Sequence, residues 1–361
     1  MRIQSLPDHI QQFAAENPHV KIEVSITVDP LVPDELEREF MALPMVRRME
    51  GANLRDYAEA ELYFLESMFE NIKSNGSKGS KVRRAFSEMD DAKELVAKAF
   101  ATTNSSERQS WAREALNLSP LCAEAYIVLA EPEAEPDRKI QLLERGIEIA
   151  FTQIDQSRFQ QPDGYFWEKI TTRPYMRCRT ALALTLWQHG RKQEAVGQMK
   201  ELLRLSPGDS QGLRFHLVNW LLEVNDPEAD EYCAKYAHCE SAFVQYACVL
   251  QKFRRHGDSK QSRKELDAAI KANKFVPAVL CDRASVPNIK ASRVVRGSAQ
   301  EAIAYSRIGA AAWRGTDGAL DWLSKNCSPL LQSKTTLRKI ACAEDYKHGG
   351  TWVSPILMDL S

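Results

Sequence analysis

Along most of this chain apolar residues return at the three-to-four spacing of a helix face. The pattern is nearly continuous from about Arg84 to about Asn273. LWQHGRKQEAVGQMKELLRLSPGD, from Leu186 to Asp209, shows its grammar: an apolar-charged alternation, a glycine, a second such run, then Leu-Ser-Pro. Gly190, Pro207 and Gly257 break the register too often for the unbroken heptads of a coiled coil. Two earlier stretches differ. Val20 to Val28 (VKIEVSITV) alternates apolar and polar, which predicts a half-buried strand. Arg55 to Lys73 (RDYAEAELYFLESMFENIK) predicts an amphipathic helix, and Ser74 to Ser80 (SNGSKGS) a polar link.

This organisation predicts three parts: an N-terminal α+β segment over 1–80, helical repeats over 81–275, and a C-terminal helical cap and tail over 276–361. The strand must find a partner for its backbone groups, because a lone strand exposes a row of them. A local hairpin or sheet within 1–51 supplies one, and strand addition to a partner or a second copy of the chain supplies another. Thr351 to Leu357 is a poor mate, because Pro355 interrupts it. The basic run Lys78 to Arg84 reads as a solvated connector.

Within the helical part the same residue types recur. Ala183, Gly190, Ala195, Met199 and Pro207 fall on the small, turn, small, bulky and proline positions of the tetratricopeptide pattern, whose period is about 34 residues. Leu202 is larger than the small residue usual at its position. Trp220, Ala229 and Cys233 fit the next period, and Tyr246, Phe253, Gly257 and Ala269 the one after. Upstream, Ala115, Leu116 and Pro120 close one period, and Tyr126, Leu129 and Ala130 open another. Small residues let paired helices approach and large ones fill the gaps between them. The expected fold is therefore mainly α: a right-handed α-solenoid of tetratricopeptide-type helix pairs behind a small N-terminal α+β piece. A segment around Ser298–Leu323 would cover its end.

Several stretches are more specific than a generic repeat. They are CAEAYIVLAE (Cys122–Glu131), GYFWEKITTRPYMRCR (Gly164–Arg179), LWQHGRKQEAV (Leu186–Val196) and LRLSPGDSQGLRFHLVNWLLE (Leu203–Glu223). GSAQEAIAYSRIGAAAW (Gly297–Trp313) and GALDWL (Gly318–Leu323) follow. Together, over roughly 91–323, they resemble the tetratricopeptide proteins related to the suppressor-of-tumorigenicity-7 family. The family usually has an asparagine-rich turn where this chain has Ser206 to Gln211, and alanine where it has Cys178. The resemblance implies a helical repeat scaffold and supplies no catalytic residue.

Charge and chemistry narrow the function. With 48 basic and 49 acidic residues the net charge is −1, which argues against a large nucleic-acid footprint. No apolar run reaches the roughly 20 residues that span a bilayer, and no basic-then-apolar leader is seen, so a cytoplasmic protein is expected. The eight cysteines form no C-x-x-C pair and read as buried free thiols. Cys233, His238, Cys239 and Cys248 are the densest ligand-type cluster, but their spacing fits no zinc motif, so no metal and no cofactor is expected. None of the Gly-Ser-Gly, phosphate-loop, zinc-protease or dinucleotide signatures is present, and no catalytic residue is assigned.

In such repeats the first helix of each pair lines a concave groove. That places Arg177, Thr180, Leu184, Trp187, Gln188, Gln211, Arg214, Phe215 and Arg254 on a partner-binding surface. Arginine forks grip carboxylates and aromatic walls hold extended peptides, so an acidic or C-terminal protein segment is the expected partner. The bland alternative is that Arg173 and Arg177 pair with Glu168 or Glu201 and fix helix packing. The leading reading is a protein-interaction scaffold or adaptor. An enzyme or toxin-related component, with active groups in the first ~85 residues, is the alternative from another class.

Overall fold

The computed structural model describes residues 79–155, 157–160, 164–283 and 294–341, with side chains from 88 onward except at 160. The expected strand 20–28, the helix 55–73 and the tail beyond 341 lie outside these residues. The described chain is mainly helical. It divides into two compact units, Met1–Ala181 and Leu182–Ser361.

The first unit holds α1 (Gly79–Ala101), α2 (Ser105–Leu118), α3 (Ala123–Ala130), α4 (Pro136–Thr152) and α5 (Ser157–Gln160). A 3-10 turn at Ile170–Thr172 leads into α6 (Arg173–Gln188), which runs on past the division. Asn104 ends the α1–α2 connection because its side-chain oxygen accepts from the N–H groups of Ser106 and Glu107, at 3.0 and 3.3 Å. Ala92, Ala99, Ala112, Ala115 and Ala125 sit in one core with Val96 and Val128. With methyl groups at the contact, the backbones approach closely. Gly146 of α4 goes further: a Cβ there would lie 3.0 Å from both the Ala123 oxygen and the Cys178 sulfur.

The second unit holds α7 (Lys192–Leu205), α8 (Arg214–Glu223), α9 (Ala229–Lys235), α10 (Ala242–His256) and α11 (Lys260–Ala272). After α12 (Val276–Leu280) come α13 (Ala299–Arg314), α14 (Ala319–Asn326), α15 (Ser328–Gln332) and α16 (Lys334–Ala341). The α6–α7 turn is a Schellman cap: Gly190 has φ +79°, its N–H bonds the Trp187 carbonyl, and the Arg191 N–H bonds the Leu186 carbonyl. Asn225 and Asp282, with φ near +54° and +52°, close α8 and α12 by the same pair of bonds. Phe215 to Leu222 are all buried, polar His216 and Asn219 included, so α8 is covered on every side and packs against α7, α9, α10 and α13.

Two devices lock α13. The ring of Tyr305 lies along the helix over Gly309, where a Cβ would come within 2.6 Å of it, and its hydroxyl accepts from Trp313 Nε1 at 2.9 Å. The carboxylate of Glu301, fully buried, reaches across to α10, accepting from the Ser241 hydroxyl at 2.8 Å and the Ala242 N–H at 3.0 Å. It also accepts from Asn273 Nδ2 at 3.0 Å and the Gly297 N–H at 2.7 Å. One carboxylate thus satisfies orphan donors at the start of α10 and just before α13.

Candidate functional site

In the first unit the site grows from the loop before α6. Phe166 is buried, Trp167 half-buried and Tyr165 exposed. Phe159 meets Phe166 and Tyr175 edge-on, with both pairs of ring centroids 5.1 Å apart. The loop is tied to the helix by Thr172, whose hydroxyl donates to the Phe166 carbonyl, and by Arg173. Arg173 donates from Nε to the Trp167 carbonyl at 2.8 Å and from Nη2 to the Glu168 carbonyl at 3.2 Å. Pro174 takes the second position of α6, where a missing N–H costs nothing.

One turn on, Arg177 pairs with Glu124. The packing alternative pairs Arg173 and Arg177 with Glu168 or Glu201. The actual partner of Arg177 is 53 residues away, in the first turn of α3, where a carboxylate also favours the helix dipole. Both Arg173 and Arg177 stand over the Trp167 ring, at 5.7 and 5.6 Å. Arg177 keeps 44% of its side chain exposed while Glu124 keeps 14%. Beneath them the Cys178 thiol donates to the Ala123 carbonyl at 3.5 Å, and burial pushes that thiol well above its usual range. Thr180 is buried, its hydroxyl spent on the Met176 carbonyl at 2.8 Å.

In the second unit Trp187 is half-buried and stacks on Trp220. Lys192 stands 5.2 Å from the Trp187 centroid and bonds Glu223 at 2.6 Å. Leu184 is half-buried and Gln188 exposed. Gln211 and Phe215, expected on the binding surface, are buried.

Arg214 and Arg254 serve packing. Arg214 donates to Asp209 Oδ2 at 2.7 Å, and Asp209 also accepts the Leu213 and Arg214 N–H groups at 2.6 and 3.0 Å, capping α8. Burial pushes the Asp209 carboxyl up, against the pull of Arg214 and these N–H groups. Arg254 donates to the Leu222 carbonyl at 2.7 Å, the Thr316 hydroxyl at 2.8 Å and the Ala312 carbonyl at 3.3 Å, binding α10 to α8 and α13. Helical spacing assigned both arginines to a face, but which carbonyls meet that face is a tertiary matter. Trp167, Glu124 and Lys192 were not among the predicted site residues. Only Trp167 had a signal, its place between arginines in an aromatic loop.

Among the described residues no group of three or more His, Cys, Asp or Glu side chains is placed to hold a metal ion. No described helix is long and apolar enough to cross a membrane.

The described chain is thus a mainly helical protein whose accessible arginine and tryptophan side chains flank packed helix pairs. The ST7 protein family matches residues 85–331, a span that contains all nine predicted site residues, and the chain belongs to that family. Suppressor of tumorigenicity 7 protein-like of Homo sapiens is 27% identical over 253 residues, covering 63% of this chain and 44% of that protein. Protein ST7 homolog of Caenorhabditis elegans is 26% identical over 269 residues, 64% of this chain and 50% of that one. Protein ST7 homolog of Drosophila melanogaster is 26% identical over 255 residues, 64% and 47% respectively. The chain spans about half the length of the curated relatives it matches.

Proposed function

We propose that this chain is a protein-binding scaffold of the tetratricopeptide type, which takes a carboxylate-bearing segment of a partner at Arg177. The posture of Arg177 carries the reading. Its guanidinium is oriented by Glu124 and by the Trp167 face, yet nearly half of the side chain stays open to solvent. A fork held in place before binding loses little rotamer freedom, and a second carboxylate would gain a charge-assisted bond. Trp187, braced by Trp220 and Lys192, offers a comparable aromatic face in the second unit. The tetratricopeptide character draws support from the recurrence of helix pairs with alanine-lined contacts and left-handed caps at Gly190 and Asn225.

A pool of random peptides selected on the immobilised chain tests this. Enrichment of Asp- and Glu-rich or free C-terminal sequences, lost in a folded Arg177→Ala variant, is the expected result. Enrichment indifferent to Arg177, or of basic sequences, would overturn it.

A further inference from the structure

The spacing of the cysteines fits no disulfide or metal motif, but the fold brings two of them together. Cys233 lies on α9 and Cys248 on α10, helices that pack against each other in the second unit. The Cys248 thiol donates to the backbone carbonyl of Cys233 itself, with the sulfur 3.7 Å from that oxygen. Both side chains are buried, at 8% and 5% exposure, and both are free thiols. The two cysteines stand 15 positions apart in sequence, a short loop for a disulfide to close. The other close thiols, Cys122 with Cys178 and Cys281 with Cys327, are different. There Cys178 and Cys281 donate to the carbonyls of Ala123 and Leu320, which are not cysteines, whereas Cys248 donates to the carbonyl of Cys233 itself.

We propose that Cys233 and Cys248 form a redox-modification site, a dithiol that hydrogen peroxide converts into an intrachain disulfide joining α9 to α10. One sulfur attacks the peroxide; an S–O bond forms, the O–O bond breaks and water leaves. The second sulfur then displaces water from that sulfenic sulfur, and the S–S bond forms. Two thiols lose two hydrogens and two electrons, and one peroxide becomes two waters. The neighbouring Cys233 side chain and burial hold the Cys248 thiol well above its usual range, so Cys248 rests protonated, and the pair reacts when α9, only seven residues long, opens.

The test is disulfide mapping of the folded 361-residue chain after hydrogen peroxide, with remaining thiols alkylated before digestion. Cleavage after Glu231, Lys235, Glu240 and Lys252 puts Cys233, Cys239 and Cys248 on three separate peptides. The expected product joins Tyr232–Lys235 to Ser241–Lys252, two hydrogens lighter than the pair, and dithiothreitol reverses it. A folded Cys239→Ser variant still forms it. If Cys233 and Cys248 are both alkylated after oxidation, the proposal fails. It fails equally if either sulfur is found joined to the half-buried Cys239, or oxidised singly to the sulfinic acid.

Discussion

Trp187 and Trp220 stack face to face, ring centroids 4.2 Å apart and planes within 3° of parallel. Trp220 is buried to 1% exposure, while Trp187 is its half-buried lid. His216, one turn earlier on α8, meets the Trp220 ring edge-on at 5.5 Å.

The two tryptophans should therefore respond differently to truncation. Trp220→Ala removes a large core side chain and should cost about 3–5 kcal/mol. Trp187→Ala loses one stacked face and less burial, about 1–2 kcal/mol. Urea unfolding of the two variants against wild type checks the order. Equal losses would mean that Trp187 is core too.

Glu301 should be the least replaceable carboxylate among the described residues. Its four acceptor contacts hold Ser241, Ala242, Asn273 and Gly297 together. Glu301→Ala strands those buried donors and should cost about 3–5 kcal/mol. Thermal or urea unfolding should show a loss several times that of Glu194→Ala, whose carboxylate makes an exposed pair with Arg191.

Glu301 also marks what the sequence could show. Ser298-x-x-Glu301 has the spacing of a capping box, and Ser298 does cap α13, accepting the Glu301 N–H at 3.1 Å. The helix start was thus legible, in a segment expected to be helical from Ser298. The carboxylate's turn toward α10 was not, because its donors lie 59 and 60 residues away. The same division runs through the site. Gly190 announces its turn because only a residue at ease with positive φ fits there, whereas Asn225 and Asp282 do the same work under polar side chains common anywhere. Helical periodicity placed Arg177, Trp187 and Gln188 toward solvent. It misjudged Thr180 and Phe215, whose helix faces are buried, and Gln211, which is buried in the turn before α8. Arg254 was read as a groove residue for the same reason: spacing gives a face, and a neighbour decides its use.

His216 should make stability depend on pH. It is fully buried, and among the described residues neither ring nitrogen finds a partner. Burial pulls its pKa from 6.5 to about 3. The folded chain keeps the ring neutral, while the unfolded chain takes up a proton below about 6.5. Stability from this residue is therefore complete above pH 6.5 and falls as pH drops toward 3, by about 2 kcal/mol at pH 5. The pH slope of unfolding free energy should be shallower in His216→Leu across that window. An unchanged slope would show that the imidazole gains a partner or water when charged.

The most direct measurement of the scaffold reading is affinity capture with wild type, Arg177→Ala and Glu124→Gln, each shown folded by circular dichroism. Losing a charge-assisted bond worth about 1.5–3 kcal/mol should weaken a captured partner roughly 10- to 100-fold in Arg177→Ala. Glu124→Gln keeps an amide oxygen to orient the Arg177 guanidinium while removing the competing charge, and should hold the same partner at least as tightly as wild type. Partners retained equally by wild type and Arg177→Ala, or lost from Glu124→Gln, would contradict a carboxylate site at Arg177.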